Sequence, residues 1–209
     1  MKIAVLGAGN VGSALATGWI RAGHQIVFGS RDAQSEETQA TLKKLGPQAR
    51  AANNADAAAQ GDIVVSALPW EAAKEVIPQI ATALSGKTLI DATNPVARWP
   101  MMDHSAGSGG EQAQALAPGA RVVKAFNSTG FGNMLEPVFG EGAASMFYAG
   151  NDERAKATAQ RLIAELGFDA VDCGPLSASL ALESLASLWG QLAMNGKLGR
   201  RIAFRLLRE

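Results

Sequence analysis

The sequence predicts a doubly wound α/β fold: a mostly parallel sheet, helices on both faces, and a short helical C-terminal extension. Three observations predict it. Short β-rich runs alternate with alanine-rich helical stretches along the chain. The first four runs are almost continuously apolar, as parallel strands covered on both faces must be. Most of the helical stretches stop at a glycine, which adopts the left-handed backbone that closes a helix.

In chain order, residues 2–6 are the first expected strand and 11–22 the first helix, closed by Gly23. The next pair is a strand at 25–28 and a helix at 35–45, closed by Gly46. A strand at 63–66 leads into a helix over 71–84, closed by Gly86, and a fourth strand follows at 88–91. Residues 93–110 are rich in Pro, Gly and Ser and read as a long loop over the sheet edge, a kind more often functional than idle. Beyond it come a helix over 110–116 and a strand at 121–125. Strands at 145–149 and 170–173 flank a helix over 153–166, closed by Gly167. One unit is therefore expected over 1–174. Residues 175–209 read as helical to the end, because Leu180, Leu182, Leu185, Leu188, Trp189 and Leu192 recur near a helical period. That extension is too small for a separate domain, so a lid or a subunit contact is expected. Trp189 and Met194 read either as core or as pocket wall. The basic end, 197–208, reads as cations at a helix C-terminus, with an anionic surface as the other reading.

Composition narrows the function. The 209 residues suffice for one sizeable core. With 19 Lys+Arg against 19 Asp+Glu, zero net charge argues against nucleic acid or an anionic membrane as partner. The single cysteine, Cys173, excludes an internal disulfide and fits a reducing compartment. His24 and His104 lie far apart, and no HExxH or CxxC occurs, so no metal site is expected. The opening MKIAVLGAG stops at a glycine turn rather than running on as a signal peptide, and no run reaches the ~18 apolar residues of a membrane helix. A cytoplasmic location is expected.

Gly7-Ala8-Gly9-Asn10-Val11-Gly12 is a GxGxxG pattern directly after a strand and directly before a helix. Alone the pattern is weak and would suit any tight strand–helix turn. In this context Gly7 permits the turn, Gly9 admits a pyrophosphate, and Gly12 lets helix and strand pack closely. The helix N-terminus then offers N–H groups and positive potential to phosphate. Past the second strand stand Ser30 and Arg31, which can donate to a 2′-phosphate where a carboxylate would repel it. This favours NADP over NAD, with a solvated surface charge as the bland reading of Arg31. Asp32 has the spacing of an NAD-type acid, but the apolar run stops at Phe28, so it reads as a starter of the next helix.

Ligands of such sheets sit beyond the carboxyl ends of the strands. Three loops should meet there: Ser66-Ala67-Leu68-Pro69-Trp70-Glu71, Asp91-Ala92-Thr93-Asn94-Pro95-Val96, and Lys124-Ala125-Phe126-Asn127-Ser128-Thr129-Gly130. Trp70 suits a flat wall or ordinary core, and Asn94 suits a carboxamide partner or a plain Asn-Pro turn. Lys124 could meet a phosphate, pair with Glu183, or snorkel at the edge. His104 reads as a solvated loop residue, and no catalytic acid or base is assigned. Hydride exchange between a nicotinamide and a flavin-like ring needs mainly alignment and a dry site, so that absence is informative.

These residues resemble the NADPH-dependent F420 (deazaflavin) reductases. The likeness runs from GAGNVG (7–12) through GSRD (29–32), LPWE (68–71), VKAFN (123–127) and AGND (149–152) to LGFDAVDCGPLSAS (166–179) and LESL (182–185). The cytosolic domain of eukaryotic six-transmembrane metalloreductases is similar over VVKAFN and 173–176. The resemblance implies a Rossmann domain with NADP at Gly9, Asn10 and Val11 and its 2′-phosphate on Ser30 and Arg31. It implies Ala67–Trp70 and Asn94–Val96 beside the nicotinamide, a deazaflavin in an apolar pocket partly closed by the C-terminal helices, and a homodimer. GAGN and ATNPV (92–96) depart from the archaeal pattern, so FMN or FAD stands open beside coenzyme F420 as hydride acceptor. Two other readings are an NADPH-dependent imine or carbonyl reductase, resembling pyrroline-carboxylate reductase, and a non-catalytic NADP sensor.

Overall fold

The structure, a computed structural model, describes residues 1–140 and 142–209. Its first part alternates strand and helix: β1 (Lys2–Leu6), α1 (Asn10–Arg21), β2 (Gln25–Gly29), α2 (Glu36–Leu45), β3 (Ala49–Ala52) and α3 (Asn54–Gln60). β4 (Ile63–Ser66), α4 (Trp70–Gln79), α5 (Ala81–Leu84) and β5 (Thr88–Asp91) follow. A small ribbon, β6 (Val96–Arg98) and β7 (Met101–Met102), precedes α6 (Gly109–Leu116), β8 (Arg121–Lys124) and α7 (Phe131–Leu135). After the short pair β9 (Val138–Phe139) and β10 (Gly142–Ala143) come β11 (Ser145–Gly150), α8 (Glu153–Glu165), β12 (Asp169–Asp172) and α9 (Ser179–Gly190).

The main sheet runs in the order β12-β11-β8-β5-β4-β1-β2-β3. All its pairings are parallel except β11 against β8. From β1 the chain winds outward through β2 and β3, then returns to wind the other way from β4. The doubly wound expectation is met, and the switch of direction falls between β1 and β4, where such sheets bind ligands. Pleating divides the core into two layers. Ile3 and Val5 of β1 join Trp19 and Phe28 under α1 and α8, while Ala4 and Leu6 join Ile77 and Leu84 under α4 and α5. Gly23, Gly46, Gly86 and Gly167 all take positive φ after their helices, as expected.

Several expectations need correction. The helix foreseen over 71–84 is divided at Ile80, whose φ −108° and ψ 9° leave the helical range two residues past Pro78. The loop at 93–110 carries the β6–β7 ribbon. The extension is not helical to its end: α9 passes into a π turn at Gln191–Asn195, and residues 196–209 form a strap without helix or strand. Positive φ at Lys197 and Gly199 takes the backbone out of helix. Two of the basic residues there have partners in other segments, not at the end of a helix of their own, and one of them, Arg208, pairs with the Asp169 carboxylate at 3.2 Å. Arg201 donates to the carbonyls of Glu136 and Val138, and its guanidinium lies 4.2 Å over the Phe139 ring. Of the residues expected to form one apolar face, Leu180 and Leu188 are exposed, whereas Leu182 and Trp189 are buried.

Candidate functional site

The glycine turn is built as its spacing requires. Gly7 has φ +97°, closed to side chains, and a Cβ on Gly12 would lie 2.0 Å from the Gly7 carbonyl oxygen. A Cβ on Gly9 would meet nothing within 4 Å. That emptiness is the cradle a pyrophosphate needs. Gly9 caps α1 with no side-chain hydrogen bond, and the first turn holds no acidic residue. The N–H groups of that turn therefore lack intrahelical partners and face an anion-favouring potential. The residues present fit a dinucleotide.

Ser30 and Arg31 stand just past the end of β2. Arg31 is exposed with no partner among the described residues, so its guanidinium is free to pair with a phosphate. Ser30 Oγ is part-engaged, donating to the Asp32 carbonyl at 2.9 Å. Asp32 does not cap the next helix: it accepts the Gln34 N–H at 2.8 Å in a local turn, and the cap of α2 is Ser35.

Two cavities lie beyond the strand ends. The first, about 460 Å³, is bordered by Gly9, Asn10 and Val11, by the whole Ala67-Leu68-Pro69-Trp70 loop, and by Thr93, Asn94 and Val96. Trp70 serves as both wall and core, being 8% exposed within the second hydrophobic layer. The second cavity, about 360 Å³, is walled by Phe126, Phe131, Trp189 and Met194, with Asn127 and Arg200 as polar members. Gly130 lets the Trp189 ring rest on the backbone, since a Cβ there would come within 2.7 Å of it. The Trp189 indole donates to the Ile202 carbonyl at 2.7 Å, so the strap holds this wall in place. Val11, Ala92, Asn94 and Trp99 line both cavities. A further cavity of about 400 Å³, between Phe139 and Phe204, shares no residue with either.

Pro95 faces elsewhere, into a neighbouring hollow with Lys74 and Gln112. Gly7 and Gly12 shape the turn from beneath and line neither cavity. Asn94 and Asn127 bind each other: Asn94 Nδ2 donates to the Asn127 carbonyl at 2.9 Å, and Asn127 Nδ2 donates to Asn94 Oδ1 at 3.0 Å and to the Leu182 carbonyl at 3.1 Å. Asn94 is thereby committed, and within this pair the buried atom without a partner is Asn127 Oδ1. Of the three readings of Lys124, pairing with Glu183 is the one realised, and Asp91 joins it. Burial alone would lower the Lys124 pKa, but the two carboxylates outweigh it and the net shift is upward. His104 is not a solvated loop residue. Its Nε2 lies 3.0 Å from the carboxylate of fully buried Glu183.

Trp99, Phe131 and Arg200 went unread in the sequence. Trp99 had a signal, an aromatic in a long Pro/Gly-rich loop. Phe131 and Arg200 had none, because only tertiary packing brings them to the cavity.

A mostly parallel sheet with this glycine turn at its switch point defines a Rossmann-type α/β protein. Residues 2–95 match the family described as NADP oxidoreductase, coenzyme F420-dependent. The chain is 30% identical over 203 residues to the F420-dependent NADP reductase of Methanothermobacter marburgensis, covering 90% of each chain. A crystal structure from Arthrobacter sp. FB24, assigned as an F420-dependent NADP reductase, superposes with a TM-score of 0.89 at 31% identity, with 100% of each chain covered. Metalloreductase STEAP3 of Rattus norvegicus is 26% identical over 184 residues, spanning 88% of this chain but 36% of that one. The chain belongs to the F420-dependent NADP oxidoreductase family. No helix among the described residues is long and apolar enough to cross a membrane.

Proposed function

We propose that this protein exchanges a hydride between NADP(H) and a deazaflavin, coenzyme F420, with each ring in its own cavity. The observation that carries the reading is the pair of cavities with common walls at Val11, Ala92, Asn94 and Trp99. One abuts a dinucleotide cradle and the other is flat-walled and aromatic. When bound, the nicotinamide supplies a hydride equivalent, and the acceptor ring takes it up with one proton from solvent.

The chain's own residues bind, orient and keep the site dry. The N–H groups at Asn10 and Val11 hold the pyrophosphate, over Gly9. Ser30 and Arg31 hold the 2′-phosphate. Ala67–Trp70 with Asn94 and Val96 frame the nicotinamide, and Pro95 stiffens that frame from behind. Phe126, Phe131 and Trp189 enclose the acceptor ring, so residues 175–209 act as its lid and not as a separate domain. Aromatic walls exclude water, which strengthens every polar contact inside. The single carboxylate bordering either cavity among the described residues, Glu71, is exposed and paired with Lys74 at 2.7 Å. This supports ring-to-ring hydride transfer over reduction of an imine or carbonyl that needs a placed acid. The protein works as a homodimer.

The test is stopped-flow oxidation of NADPH with F420, FMN and FAD in parallel, with NADH as control. Fast oxidation by F420 is expected. Turnover with FMN or FAD alone would make this a flavin reductase, and binding without oxidation by any acceptor would overturn the reading.

A further inference from the structure

Three charged side chains meet beneath the site, and the proposed chemistry uses none of them. Asp91 and Lys124 sit side by side at the carboxyl ends of β5 and β8. Glu183 reaches them from α9, and all three are 0% exposed. Lys124 Nζ donates to Asp91 Oδ2 at 2.9 Å and to the Thr93 carbonyl at 2.7 Å, and pairs with Glu183 Oε1 at 2.8 Å. That accounts for its three protons. Asp91 Oδ1 accepts both the N–H and the hydroxyl of Thr93, at 3.0 and 2.7 Å. Glu183 also accepts the N–H groups of Gly109 and Gly110 at the start of α6, and His104 Nε2 closes the outer end at 3.0 Å.

Burying such groups is costly even when they are well paired, and apolar side chains of similar volume often stabilise a fold as well or better. Their placement points to position. One end of the chain fixes Thr93 and Asn94, which line the cavity assigned to the donor. The other end fixes α9, whose Trp189 walls the cavity assigned to the acceptor. A second tie runs beside the first, through Asn127 to the Leu182 carbonyl and to Asn94. Gly109 permits this closeness: a Cβ there would lie 3.0 Å from Glu183 Oε1 and 3.2 Å from Pro95 Cδ.

We propose that the buried chain Thr93–Asp91–Lys124–Glu183–His104 is a positioning device that registers the donor-side loop on the acceptor-side helix. Lys124 and Glu183 thereby set the hydride-transfer rate without touching either ring. The inference rests on the assignment of the two cavities above. Reacting atoms must approach to roughly 3–3.5 Å, and an error of about 1 Å costs on the order of a hundredfold in rate. A small slip of α9 against the loop is therefore enough to be seen.

The test is single-turnover hydride transfer from C4-deuterated and ordinary NADPH to F420, with the isotope effect followed over temperature and NADPH affinity measured separately. Single substitutions leave a charge unpaired and endanger folding. The variants are therefore the neutral triple Asp91→Asn/Lys124→Met/Glu183→Gln, and His104→Gln at the half-buried outer end. In the triple variant, transfer should fall by roughly thirtyfold or more while NADPH affinity stays within about threefold, and the isotope effect should become more temperature-dependent. His104→Gln should show the same signature at roughly three- to tenfold. A fraction of unfolded enzyme would lower the amplitude of the single turnover but leave its rate constant and isotope effect alone. Folded variants with unchanged transfer and isotope effect would overturn the proposal, as would a loss of rate matched by a loss of NADPH affinity. No transfer by the unaltered protein would instead sink the assignment of the cavities on which it rests.

Discussion

The proposed 2′-phosphate contact would place the cofactor preference on one exposed side chain, Arg31, and the absence of a partner for it among the described residues makes it easy to test. Arg31→Ala should weaken NADPH by roughly 1.5–3 kcal/mol, the range for a charge-assisted contact, and leave NADH nearly unchanged. Added salt should narrow the gap, because the contact is exposed to screening. Fluorescence titration of both nucleotides at two ionic strengths measures this, and an unchanged NADPH/NADH ratio would refute the reading. Ser30→Ala should cost less, since its hydroxyl already serves the Asp32 carbonyl. Phe126 shows what a single residue hides from sequence. It holds φ 62°, unfavourable for a side chain, while its ring packs edge-on to Trp19 at 5.7 Å. Strain of this kind, worth about 1–3 kcal/mol, clusters at functional sites, and here it sits in the wall of the second cavity.

Elements were legible where one physical signal dominated. The glycine turn and strand ends such as 2–6 and 63–66 were readable because apolar runs, glycines and short connections all agreed. β3 was not, because Ala49-Arg50-Ala51-Ala52 lacks β-branched residues and is strand only by pairing with β2. α3 was missed although Asn53 caps it through the Asp56 N–H at 2.8 Å, since seven residues are too few to show a period. Long-range ties hold that short helix. Lys87 reaches from the next crossover and donates to the carbonyls of Ala58, Ala59 and Gly61 at 2.7–2.9 Å, closing its C-terminal end. Lys87→Met should therefore cost about 1–2 kcal/mol in urea unfolding, by leaving those carbonyls without their cationic donor. A loss under about 0.3 kcal/mol would show that water replaces the ammonium at no cost. The candidate site divides in the same way. The cavity proposed for the donor lies on loops that follow readable strands, whereas the cavity proposed for the acceptor is assembled from α7, α9 and the strap, which no local pattern joins.

At the scale of the whole molecule, apolar exposure is unevenly placed. Met1 apart, the large exposed apolar side chains among the described residues fall in three stretches: 96–101, 131–138 and 180–207. The three are stitched to one another. Trp99 Nε1 donates to Met194 Sδ at 3.1 Å, and Arg201 and Ile202 of the strap bind Asn133 at 3.2 and 2.7 Å. Val138, Met101 and Leu207 are 59%, 59% and 78% exposed, while residues 2–95 contribute no such side chain. Monomers rarely leave contiguous apolar area beyond a few hundred Å² uncovered, so if these side chains form one surface, self-association is the proposed use of it. A second copy covers it most simply, through a two-fold interface in which each surface meets itself. Such an interface would also brace the strap and Trp189, and would tie assembly to the cavity proposed for the acceptor. Sedimentation velocity at micromolar concentration should give twice the chain mass, and the pair Val138→Glu/Leu207→Glu should give the monomer by placing like charges in the contact. If that monomer binds NADPH normally but takes up the acceptor poorly, assembly supports the lid. A wild-type chain that sediments as a monomer would mean the apolar surface serves something other than self-association.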